Sequence, residues 1–94
     1  MIIGLCTLQL RLPASTSLKA KRQVLQAVVD RVHNKFNVSI AEVDHQDSWQ
    51  QAALAVACVS TDAGYVHGLL ERVVHFIAEG PFALILLDYE VELI

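Results

Sequence analysis

Ninety-four residues bound the chain to one domain. With 54% hydrophobic and only 18% charged residues, it holds more apolar material than one small core needs. The net charge of −3 gives no bulk signature of nucleic-acid binding, so only local clustering of cations could supply one. No apolar run approaches the roughly 20 residues of a spanning helix. The apolar runs, residues 82–87 among them, are strand-sized, and no basic flank precedes the N-terminal apolar run, so neither a membrane segment nor a signal peptide is expected. A small cytoplasmic domain over residues 1–94 follows. A chain of this size buries about 60–65% of its unfolded surface. The apolar surplus beyond that thin core points to a homo-oligomer, most simply a dimer. Cys6 and Cys58 lack metal-type spacing and fall in strand-like runs. They read as buried reduced thiols, and no metal or cofactor is expected.

In chain order, residues 2–12 read as a strand ended by Pro13. Ser17 is placed to cap a helix from residue 18 to about residue 33, with Leu25, Val28, Val29 and Val32 at helical spacing. Asn34 suits that helix's C-terminal cap. Residues 37–44 form a second strand, 45–48 a polar loop and 49–59 a third strand. Asp62 or its neighbours cap a second helix that buries Val66, Leu69, Leu70, Val73 and Ile77 and stops at Gly80-Pro81. Residues 82–93 form the last strand. The order β-α-β-β-α-β, with right-handed crossovers and one hairpin, predicts the ferredoxin-like α+β fold. Its antiparallel sheet should run 4-1-3-2 with both helices on one face.

Strand parity assigns the faces. Cys6, Leu8, Leu10 and Leu12 point to the helices, as do Leu54, Val56 and Cys58. Ile3, Leu5, Thr7, Gln9 and Arg11 point away, with Ala53, Ala55, Ala57 and Val59. In the last strand, parity sends Ile85, Leu87, Tyr89 and Val91 inward and Leu84, Leu86, Asp88, Glu90 and Glu92 outward. The open face is then partly aliphatic. Ile3, Leu5, Ala53, Ala55, Ala57, Leu84 and Leu86 are its expected dimer contacts.

Two segments carry candidate chemistry. Arg11, Lys19, Lys21 and Arg22 hold four of the seven basic residues around the start of the first helix. Cations in a first turn oppose the helix dipole, which leaves two readings: a solvated end paired with nearby acids, or a surface that contacts anions. Replacing Lys19, Lys21 and Arg22 by Glu is expected to abolish anion binding and leave the fold intact. The second segment, residues 41–50, spans the hairpin, which the topology places beside that helix start. Asp44, His45, Asp47 and Trp49 lie on it. The acids hold the turn or pair with the lysines, or they join His45 in acid–base or metal chemistry of a hydrolase kind. Trp49 is either a packed anchor or a stacking platform.

Other patterns are absent. There is no glycine-rich phosphate loop and no CxxC pair. The outward positions of the first and third strands carry aliphatic or small residues where RNA-recognition sheets carry aromatics. His67, Glu71 and His75 share a helix face, as a solvated face also would.

The stretch from Leu12-Pro13 through Ser17-Leu18-Lys19-Ala20-Lys21-Arg22 resembles the YlxP-like family of small bacterial proteins. So do Phe36-Asn37-Val38-Ser39, Ala41-Glu42-Val43-Asp44-His45-Gln46-Asp47-Ser48-Trp49-Gln50 and Val59-Ser60-Thr61-Asp62. Ala20 stands where that family usually has an acid. The resemblance covers essentially the whole chain. It implies a ferredoxin-like fold, supplies no catalytic residue, and suggests a setting in translation or ribosome assembly. Three functions stay open: a module that contacts RNA or a ribonucleoprotein such as the ribosome through its basic end, a protein-binding or small-anion regulatory module with no nucleic-acid role, or, as the least expected, a hydrolase using Asp44, His45 and Asp47.

Overall fold

A computed structural model describes residues 1–94. The elements are β1 (Ile2–Arg11), α1 (Leu18–Lys35), β2 (Ser39–Asp44), β3 (Gln51–Ser60), α2 (Ala63–Glu79) and β4 (Ile85–Leu93). One antiparallel sheet runs β2-β3-β1-β4, the expected order read from its other edge. Residues 49 and 50 stay in the hairpin loop, so β3 starts two residues later than the apolar pattern alone suggests.

Both helices start on a side-chain cap. Ser17 accepts from the Ala20 N–H at 3.0 Å, and Asp62 accepts from the Tyr65 N–H at 3.1 Å. Each satisfies one of the N–H groups that a first turn leaves free. The end of α1 is not at Asn34. Helical bonding continues until Phe36, whose N–H still reaches the Val32 carbonyl at 2.8 Å while its own backbone is extended. Phe36 stops there because its ring packs edge-to-face on Phe76, with centroids 5.5 Å apart.

The core lies between the helices and one sheet face. Cys6, Leu8, Leu10 and Leu12 of the first strand region meet Leu54 and Val56 of β3 beneath Leu25, Val28 and Val32 of α1 and Val66, Leu70, Val73 and Ile77 of α2. All are buried, as parity requires. Burial pushes the Cys6 thiol up to about 11, with Glu71 adding to the shift, and burial also raises Cys58. Tyr89 ties β4 to α2 by donating to Glu71 Oε2 at 2.8 Å, and that bond raises its pKa.

A bulge corrects the parity reading of β4, and a second bulge interrupts β2. In β4, Gln9 faces Asp88 but Leu10 faces Leu86, so Leu87 is an extra residue. The insertion reverses the alternation on its N-terminal side. Leu84 and Leu86 therefore pack against the core rather than the open face, while Ile85 and Leu87 are exposed at 50% and 56%. Tyr89 and Val91 keep their helix-side places opposite Leu8 and Cys6. In β2, Val43 is the extra residue between Glu42, opposite Leu54, and Asp44, opposite Ala53. Glu42, before the bulge and opposite Leu54, shares the helix-side face with Ile40.

Candidate functional site

The site is built where the hairpin meets the start of α1, and Lys21 is its centre. This residue lies four positions before Leu25, on the same stripe as Val28 and Val32. Helical geometry turns that stripe toward the sheet. Lys21 is fully buried. Its ammonium donates to the His45 carbonyl at 2.7 Å and to the Gln51 carbonyl at 3.1 Å. Glu42 Oε2 stands 3.0 Å away. An ammonium has three donors, and here it has three oxygen partners. Glu42 Oε2 is buried and accepts no aligned hydrogen bond, so the Lys21 charge is its compensation.

The two carbonyls bracket the hairpin loop. His45 follows β2 directly and Gln51 opens β3. One cation thus closes the loop's mouth from the helix side. Further contacts fasten the loop to the chain between β1 and α1. The Leu12 N–H donates to the Gln50 carbonyl at 2.8 Å, and the Gln50 side-chain amide lies 3.3 Å from the Pro13 carbonyl. His45 has φ of 62°, in the left-handed region that a non-glycine residue enters rarely. Its carbonyl also accepts from the Ser48 N–H at 3.0 Å. His45 therefore enters the site through its backbone.

The expected anion surface is smaller than the sequence suggests. Lys21 is inside and fully engaged, so it is removed from that surface; Arg11, Lys19 and Arg22 are exposed. None of these three has a carboxylate within 4.0 Å, since the ion pairs of the domain are Lys21–Glu42 and His67–Glu71. The acid that pairs with the lysine is Glu42, not Asp44 or Asp47. Asp44 instead accepts from the backbone N–H of His45 at 2.7 Å, a turn-holding role. Asp47 is exposed. No three His, Cys, Asp or Glu side chains converge into a metal-binding group. Trp49 is 56% exposed rather than a packed anchor, leaving its ring accessible on the hairpin.

The sequence carried a sign of the Lys21–Glu42 pair. Position 21 completes the 25-28-32 stripe, and Glu42 shares β2's face with Ile40, two residues away. A lysine and a glutamate placed on facing apolar surfaces are each other's natural partners.

The geometry defines a ferredoxin-like β-α-β-β-α-β domain whose hairpin is locked to the first helix by a buried lysine. The profile of a family described as "Protein of unknown function (DUF503)" matches residues 3–91. The Bacillus subtilis (strain 168) protein called "Uncharacterized protein YlxP" is 46% identical over 65 residues, 69% of this chain and 71% of that one. The chain belongs to the DUF503 family. Among solved structures, the de novo designed protein Foldit4 superposes with a TM-score of 0.54 at 11% identity, covering 100% of this chain and 97% of that one. That likeness shows the fold alone. No helix is long and apolar enough to cross a membrane.

Proposed function

We propose that this domain is a non-catalytic cytoplasmic module that contacts RNA or a ribonucleoprotein, in translation or ribosome assembly, through the exposed end formed by the start of α1 and the hairpin. One observation carries the reading: Arg11, Lys19 and Arg22 are exposed without acidic partners, on an end that Lys21 holds rigid, with Trp49 half out of the surface. Exposed cations at the helix start, with an accessible aromatic ring on the adjoining hairpin, suit a phosphate backbone with an unstacked base.

The test is co-sedimentation of the protein with ribosomal subunits and with structured RNA across salt concentrations. Three phosphate contacts should weaken binding about twenty- to fortyfold when salt rises about fourfold. The Lys19→Glu, Arg22→Glu double variant, which keeps Lys21, should lose binding. Equal affinity of wild type and variant would remove the site from consideration.

A second reading rests on the open sheet face. Ile3, Leu5, Ala55 and Ala57 lie there half-buried beside Val59 and Ile94, which are exposed at 63% and 67%. Ile94 reaches this face because its backbone exchanges two hydrogen bonds with Ile3, at 2.7 and 2.9 Å. Ala53 is already covered within the chain. A homodimer through this patch should scatter light as twice the chain mass at tens of micromolar and revert to one chain in Val59→Glu. A monomeric wild type at that concentration excludes it.

A further inference from the structure

The two helices meet along a seam that neither reading above uses. All three phenylalanines of the chain gather there. Phe36 and Phe82 each pack edge-to-face on Phe76, with centroids 5.5 and 6.1 Å away. Two α1 cations lie over these rings. The Lys35 ammonium is 4.9 Å from the Phe76 centroid and 5.8 Å from Phe36, and the Arg31 guanidinium is 5.7 Å from Phe82. In the sequence, Arg31 and Lys35 look like ordinary solvated charges; folded, they sit on an aromatic cluster.

Beside this cluster opens a cleft of about 620 Å³. Phe36, Leu69 and Phe76 supply its apolar wall, and Lys35, Arg72 and His75 its basic one. Glu79 is the single acid lining it. Neither Lys35 nor Arg72 has a carboxylate within 4.0 Å, although the chain carries ten acidic residues against seven basic ones. The volume is that of a small-molecule site, and the lining follows the usual division of such sites into apolar walls and a few convergent polar groups. An apolar body seated against the phenylalanines would exclude water from the nearby cations. Charge attraction strengthens where the local dielectric falls.

We infer that this cleft binds a small organic anion: an aromatic body carrying one carboxylate or phosphate group. The body rests on Phe36, Leu69 and Phe76, and the anionic group lies among Lys35, Arg72 and His75. Neither half suffices alone. A simple anion gains only exposed, screened contacts. A neutral aromatic brings no counter-charge to Lys35 and Arg72.

Amide NMR titration of the full chain tests this with four probes: naphthoate, naphthyl phosphate, naphthalenemethanol and inorganic phosphate. At least one aromatic anion should shift the resonances of residues 35–37 and 65–80 saturably, and the tighter of the two identifies the anionic group. The neutral alcohol and inorganic phosphate should bind about tenfold or more weakly, the loss expected for one charge-assisted contact. Lys35→Gln and Arg72→Gln change exposed side chains, so the fold should persist while aromatic-anion binding falls by about the same factor. The inference is overturned if neither aromatic anion gives saturable shifts in these segments, if the neutral alcohol binds equally well, or if the shifts fall on the open sheet face.

Discussion

Lys21→Glu is expected to cost about 3–5 kcal/mol, as breaking a buried ion pair does, and so to bring the domain to the edge of unfolding. Total stabilities lie near 5–15 kcal/mol, and a small domain falls low in that range. The substitution puts a carboxylate where an ammonium now meets Glu42 Oε2 at 3.0 Å and two carbonyls at 2.7 and 3.1 Å. All four groups are then electron-rich, and position 21 has no exposure through which water could hydrate them. Lys19→Glu and Arg22→Glu alter exposed residues, and each should stay within about 0.5 kcal/mol of wild type. Urea unfolding followed by far-UV circular dichroism measures all three. If Lys21→Glu unfolds at the wild-type midpoint, the lysine does not hold the hairpin.

The pair also lends itself to a charge-free replacement. Lys21→Met, Glu42→Leu removes both charges and keeps apolar bulk at both places. It should recover a large part of the loss, because buried ion pairs are often no more stabilising than apolar isosteres. The His45 and Gln51 carbonyls would still lose the Lys21 donor, His45 keeping only the Ser48 N–H, so recovery should stop short of wild type. This separates two roles that the basic segment merges in the sequence. Lys21 fixes the end of the domain, and Arg11, Lys19 and Arg22 are what that end presents. A triple charge reversal including Lys21 would lose binding through unfolding and say nothing about the surface.

The fold was legible because each element carried its own period. The 25-28-32 stripe gave α1, the helix-side residues of β1 alternated without a break, and Gly80-Pro81 closed α2. Order and faces then followed from short connections. The bulges were not legible. Leu87 lies in the uniformly apolar run 82–87, where alternation carries no contrast and an extra residue leaves no trace. Parity alone therefore sends Leu84 and Leu86 to the open face. The site was half legible: topology brought the hairpin to the helix start, as the contacts of Lys21 and Gln50 show. Charge type alone, however, placed Lys21 outside, although its position on the buried stripe argued otherwise. The aromatic seam depends on residues 36, 76 and 82 from three separate parts of the chain. No local pattern joins them.

Gly4→Ala should destabilise the domain by about 1–3 kcal/mol, and Val66→Ala should relieve much of that. Ordinarily the exchange favours alanine, since glycine inside a strand costs about 0.5–1 kcal/mol relative to it. Here the sign reverses. Gly4 sits on the helix-side face of β1, and a Cβ there would overlap Val66 Cγ1 and stand 2.9 Å from Leu70 Cδ1. Both neighbours are fully buried. Close-packed interiors yield little, and added volume shows up as off-rotamer side chains or backbone shifts. Val66→Ala alone removes two methyl groups from the core and should cost about 2 kcal/mol. In the double variant the new methyl enters the space the old ones left. The two costs should then fall short of their sum by at least about 1 kcal/mol, well outside the additivity expected of independent sites. Chemical denaturation of the four proteins in the cycle gives that number. Additive costs would mean that α2 lifts as a body when Gly4 grows, and that Val66 is not the contact which reserves position 4 for glycine.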